Sequence, residues 1–238
     1  SITVEYPTKA AVKYEKRDGY WYMTAPYQQR ADQLLTQRIL SILAAKSSDK
    51  FSSKDLARFG LDNPRLKLKL NDETFLFGTH NPITQAQYVL HKDAVYTLES
   101  SYEESATIQE IEMVDKRMLM PNQKIVGFDF SKLEQWEKAA LSLTLAQGKW
   151  SVSTAGAKPK QDELKAWLEM AWAAPIAVSL EVYKPNLRET HPSFEIMLQD
   201  GKKIHVDKLQ ESPELLLARP DEGLIYHFAP DIGFTMLN

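Results

Sequence analysis

The sequence predicts the α+β class, as a tandem repeat of two similar units, each an antiparallel sheet with one main helix packed on a face. Three observations predict it. Short runs alternate apolar and polar residues with period two, bounded by turn residues. Two longer stretches carry apolar residues at helical spacing, one in each half. The run Asp18-Gly19-Tyr20-Trp21 returns as Gln147-Gly148-Lys149-Trp150, each time a turn opening a strand with Trp, and such self-similarity marks a repeat. At 238 residues, 43% hydrophobic and 26% charged, the chain can bury a core without metal or disulfide and is neither disordered, collagen-like nor a coiled coil.

Taken in order, residues 2–6 read as a strand, and 11–17 and 20–24 as a hairpin about Asp18-Gly19, a strong two-residue turn signal. Ala31, Leu34, Leu35, Ile39 and Ile42 then predict a helix over 29–46, with Arg38 at the edge of its apolar face. Ser52-Ser53-Lys54-Asp55 reads as the cap of a short helix that ends at Gly60, a left-handed stop. Strands at 65–70, 74–78, 87–91 and 94–98 follow as a meander. A link over 107–122 containing Pro121 separates a first unit, 1–120, from a second, 121–238.

The second unit repeats the order. Residues 126–130 resemble 2–6, and Leu164, Trp167, Leu168 and Ala171 form a helical stripe that Pro175 ends. Phe194, Ile196 and Leu198 match Leu66, Leu68 and Leu70 at a constant offset, which also brings Gln199-Asp200 onto Asn71-Asp72 and Ile204 onto Leu76. Tyr226 and Phe228 match Tyr96 and Leu98 after a hairpin two residues longer. Trp21 and Trp150, at equivalent strand positions, are expected in the core.

Charge excludes one class of partner. With 29 Lys and Arg against 32 Asp and Glu, the net charge is −3, and neither half has the basic excess that nucleic acid demands. Cysteine is absent, which removes thiol nucleophiles, thiolate metal sites and disulfides. No run of about 18 apolar residues is present to span a membrane as a helix. The chain starts Ser1-Ile2-Thr3-Val4 without Met, as expected of one cut from a leader or anchor.

No Gly-rich phosphate loop, His-Glu-x-x-His helix or nucleophile elbow occurs. Neither catalytic residues nor a cofactor or metal are therefore expected. His80, His91, His191, His205 and His227 lack ligand spacing, although His205 and His227 lie on strands that could bring them together. The adjacent acids Glu103-Glu104 and Asp221-Glu222 point apart in a helix or turn rather than facing across a cleft. Arg65, Lys67 and Lys69 form a cationic strand face, expected to be solvated.

The residues Trp21-Tyr22-Met23-Thr24-Ala25-Pro26, Ala31-Asp32, Phe59-Gly60-Leu61-Asp62-Asn63-Pro64 and Phe77-Gly78 resemble the bacterial domain of unknown function 4340 family, mainly over 10–120. The Gly-Leu-Asp-x-Pro element has no copy in the second half, where Lys184-Pro185-Asn186-Leu187 stands in its place. The resemblance implies an extracytoplasmic protein tethered by an N-terminal segment or lipid. It also implies an association with gliding-type ABC transporters. It implies no reaction. In this sequence the Gly60 element itself reads as turn chemistry: a left-handed stop, a capping Asp62 and a Pro64 that extends Asn63 into the next strand.

The expected function is therefore a non-catalytic, membrane-anchored periplasmic module that binds a protein partner of the envelope, such as a transporter subunit. The alternative is a hydrolase, or a glycan or small-ligand binder, with a cleft between the units. Two groups of residues are candidates for binding. The polar loop after Gly78 offers His80, Asn81 and Gln85, and Trp136, Met170 and Trp172 are expected to stand partly exposed as interface anchors.

Overall fold

Asp18 and Gly19 take φ of 49° and 86° between β2 (Val12–Arg17) and β3 (Tyr20–Ala25). Two left-handed residues in a two-residue loop are what a type I′ hairpin requires. This turn begins the first of two compact units, Ser1–Asp115 and Lys116–Asn238, in a computed structural model that describes residues 1–47, 49–186 and 188–237.

In the first unit β1 (Ile2–Glu5) pairs with β2 and with β6 (Leu66–Leu70), and β7 (Glu73–His80), β8 (Gln87–His91) and β9 (Ala94–Leu98) extend the meander. With β4 (Gln29–Arg30) and β5 (Lys50–Ser52) the order is β4-β3-β2-β1-β6-β7-β8-β9-β5, every pair antiparallel. Alternation puts Ile2, Val4, Leu66, Leu68, Phe75 and Phe77 on the buried side. Lys67 and Lys69 fall on the other side. There both pair with the single carboxylate of Glu5, which the Lys69 ammonium holds below its ordinary value, so the cationic stripe is partly offset.

The helix is shorter than its periodicity suggests. Gln29 and Arg30 pair with Met23 and Tyr22 as strand, and α1 (Gln33–Leu40) starts only after Asp32, whose Oδ1 accepts from the Leu34 and Leu35 amides. That cap sets the helical phase. Leu34 is left 73% exposed and Thr36 is buried instead, its hydroxyl donating to the Asp32 carbonyl. A 3-10 turn, Ser41–Ala44, carries the chain off the helix and buries Ile42. The second predicted helix is a single 3-10 turn, Ala57–Phe59, stopped at Gly60 with φ 65°. A short α2 (Ser101–Ala106) follows the meander.

The second unit orders its strands β12-β11-β10-β14-β15-β16-β17-β13, again all antiparallel. These are β10 (Ile125–Asp129), β11 (Ser142–Ala146), β12 (Lys149–Val152), β13 (Ser179–Val182), β14 (Ser193–Leu198), β15 (Lys203–Gln210), β16 (Leu215–Arg219) and β17 (Leu224–Phe228). Its helices are α3 (Gln161–Leu168), which runs into a π-helical turn, Glu169–Ala173, and α4 (Pro230–Leu237), which the sequence pattern missed. Phe128, Phe194, Ile196, Val206, Leu215, Leu217 and Tyr226 are essentially inaccessible and form the core. The chain is thus mixed α+β, with two antiparallel sheets and few helices.

Candidate functional site

The Phe59-Gly60-Leu61 element lies across β7. A side chain on Gly78 would collide with the Phe59 carbonyl oxygen, and one on Gly60 with Thr79, whose hydroxyl donates to that same carbonyl at 3.1 Å. The two glycines permit a close backbone crossing. Phe59 and Leu61 thereby reach Val95, while Phe51, Leu76, Tyr88 and Leu90 close a small second core. This arrangement is packing.

Beyond Gly78 the loop spends its polar atoms on itself and on the neighbouring β8 and α2. Asn81 Oδ1 accepts from the Ile83 and Thr84 amides at 2.9 and 3.1 Å, and its Nδ2 donates to the Tyr88 hydroxyl. Gln85, left-handed at φ 60°, donates to the Pro82 carbonyl. His80 faces α2, its Nε2 3.9 Å from Glu103 Oε2. Glu103 also accepts from Gln87 Nε2 at 2.7 Å and from Arg65 Nε at 3.2 Å. Gln87 is fully buried, and its Oε1 has no hydrogen-bond partner among the described residues.

Trp136, Met170 and Trp172 belong to the second unit. Trp136 is half-buried, donates Nε1 to the Leu237 carbonyl at 3.5 Å, and lines an apolar groove of about 260 Å³ with Leu143, Val152, Leu164, Trp167 and Met236. Met170 is 59% exposed. Trp172 corrects the expectation of partial exposure: it is 3% exposed, its ring against Phe128 and Phe194 with centroids 5.0 and 5.6 Å away. The π-helical turn is the reason. Its wider winding puts residues five apart on one face, so Trp172 turns inward beside Trp167, which α-helical spacing does not foresee.

A polar pocket of about 640 Å³ in the same unit escaped the sequence reading. Tyr183, Ser193, His205 and Asp207 line it, with Lys132 and His191. His205 Nδ1 lies 2.8 Å from Glu195 Oε1 and its Nε2 2.9 Å from Asp207 Oδ1, while the Tyr183 hydroxyl donates to Asp207 Oδ2 at 3.0 Å. Burial pulls the His205 pKa down, but the hydrogen bonds and charges of Glu195 and Asp207 outweigh it and raise the value. Burial, then the bond to Asp207, pushes the Tyr183 phenol up to about 12. The only sequence signal was the alternation that sets Glu195, His205 and Asp207 on one sheet face. Tyr183 comes from a separate segment.

His205 and His227 do not meet, because β16 separates their strands. His227 sits instead between Glu214 and Glu181, at 3.6 and 3.7 Å. Among the described residues no group of three or more His, Asp or Glu side chains could hold a metal ion, and no helix is long and apolar enough to cross a membrane.

The fold and these surfaces define an α+β protein of two open antiparallel sheets, with an apolar groove and a polar pocket on its second unit. The model of a family described as "Domain of unknown function (DUF4340)" matches residues 21–178, and the chain belongs to that family. The match begins at Trp21 and continues past the first unit to Val178 in the second. No curated protein and no solved structure matches the chain.

Proposed function

We propose that this protein is a non-catalytic, extracytoplasmic binding module, held at the membrane by an anchor and serving an ABC-type transport system through a protein partner in the envelope. Exposed apolar side chains of the second unit carry the reading. In addition to the groove-lining Trp136, that unit leaves Met170, Ile176, Val178 and Val182 between 51% and 63% exposed. Aromatic and Met side chains left in water on a folded unit are typical anchors of protein interfaces. Crosslinking from the membrane-tethered protein tests it: Trp136→Ala and Met170→Ala should each lower recovery of the partner. Unchanged recovery in folded variants removes this surface, and turnover of an envelope polymer by the pure protein removes the non-catalytic reading.

A second reading, a glycan or small-ligand binder, draws support from the polar pocket, whose donors and acceptors suit a hydroxyl-rich ligand. Calorimetric titration with envelope glycan fragments separates the two.

We also infer that the units are two copies of one design. Without β4, the first sheet connects its strands in the same order as the second. Gln33 and Gln161, each the first residue of its unit's main helix, do the same work. Each accepts from the backbone amide of its Trp, at 2.9 and 2.7 Å, and returns a bond to that Trp's carbonyl at 3.1 and 2.9 Å. On this reading Ile204 corresponds to Phe75 rather than Leu76, since Ile196 pairs with Ile204 as Leu68 pairs with Phe75. An experimental structure should superpose Trp21 with Gln33 on Trp150 with Gln161, and a different helix placement would refute the duplication.

A further inference from the structure

We infer that His205 is a proton-operated clasp, whose imidazolium ties Glu195 of β14 to Asp207 of β15 and, through Asp207, holds Tyr183 at the head of the strap, residues 183–186 and 188–192, that borders the polar pocket. Carboxylate oxygens only accept, so a ring with both nitrogens at 2.8 and 2.9 Å from two carboxylates must donate from both. A ring with two N–H donors is the imidazolium. Loss of its proton to water leaves one N–H, and one of the two carboxylates then faces a nitrogen lone pair at hydrogen-bond distance.

The surrounding charges favour the closed form. Glu195 comes from β14, and beyond it Asp129 of β10 occupies the same cross-strand row. Asp207 and Lys203 share β15 with the ring. Around the pocket stand Lys132 and Glu137 from the segment after β10, and Glu189 and His191 from the strap. The two carboxylates in contact with the ring decide the balance, and its raised pKa agrees. The described residues of the strap are also tied to one another by the Arg188 and Glu189 amides, which donate to Asn186, and to neighbouring segments by two backbone bonds. The Tyr183 amide donates to the Gly223 carbonyl, the Lys208 amide to the Pro192 carbonyl, and Asn186 to Glu189 within the strap, while Leu187 lies outside the described residues.

Amide hydrogen exchange on the full chain at about pH 5.5 and about pH 8, corrected for the intrinsic rate, reads the strap directly. The ring itself is titrated by NMR. Wild-type strap amides should lose about tenfold in protection between the two conditions, while β16 and β17 hold theirs. His205→Gln should remove that pH response. Tyr183→Phe should loosen the strap at both conditions and leave the His205 ring titrating above 6.5, the ordinary value. A ring that titrates at or below that value, or strap protection that responds to pH equally in wild type and His205→Gln, would overturn the clasp.

Discussion

At Gly78 the backbone of β7 passes close to the Phe59 carbonyl, and the cost of a methyl group there measures how rigid the crossing is. An added Cβ would collide with the Phe59 carbonyl oxygen, a backbone atom that cannot swing aside, and press against the buried Leu61 side chain. Gly78→Ala is therefore expected to destabilise by about 1–3 kcal/mol in a chemical melt. A wild-type midpoint would mean that the Phe59 turn can slide. Trp172 tests the opposite error, a lost contact. Its ring packs tilted against Phe128 and edge-on against Phe194, so Trp172→Ala should cost about 3–5 kcal/mol. Its Nε1 has no hydrogen-bond partner among the described residues, so Trp172→Phe should recover most of that loss.

At the scale of elements, each main helix is fastened to a strand by one glutamine. Gln161→Ala removes the Gln161 partner of the Trp150 amide and carbonyl, and Gln33→Ala that of the Trp21 amide, the Trp21 carbonyl keeping its bond from the Ala31 amide, and each should cost about 1–3 kcal/mol by thermal melt. Unequal losses would show that the two fastenings carry different loads. What sequence could reveal divides along the same line. The turns at Asp18-Gly19, Gln147-Gly148 and Gly60 were legible because a positive φ needs only neighbouring residues. The true start of α1 was not, because β4 forms by pairing with β3, and the amide of Asp32 donates to the distant Met113 carbonyl. The strand at 87–91 was legible in its own alternation. The His205 cluster was not, since its members come from β14, β15 and the segment after β13 and meet only once the sheet has formed.

For the whole molecule, the titrating groups set a pH window of greatest stability. Hydrogen bonds from Lys69 and Lys9 lower the carboxyls of Glu5 and Glu110, and the Ser131 side chain does the same for Asp129. A carboxyl lowered by folding adds stability that is complete above its unfolded value and is lost as pH falls through its folded value. His205 is raised, so its contribution is complete below 6.5 and disappears as pH climbs through the folded value. The melting temperature should therefore be highest between about pH 4.5 and about 6.5, and His205→Gln should flatten the alkaline side of the curve. A maximum above neutrality would contradict these assignments. The sheet margins carry a different consequence. The outermost strands β4, β5, β12 and β13 have two, three, four and four residues, and Lys50, Lys149 and Glu181 are exposed along them. A long, bare, uncharged margin recruits further chains and seeds fibrils, whereas stubs that end in charge give a newcomer too few bonds to stay. A chain so rich in strand should thus remain a poor nucleus for amyloid, and a thioflavin assay on concentrated native protein should stay dark.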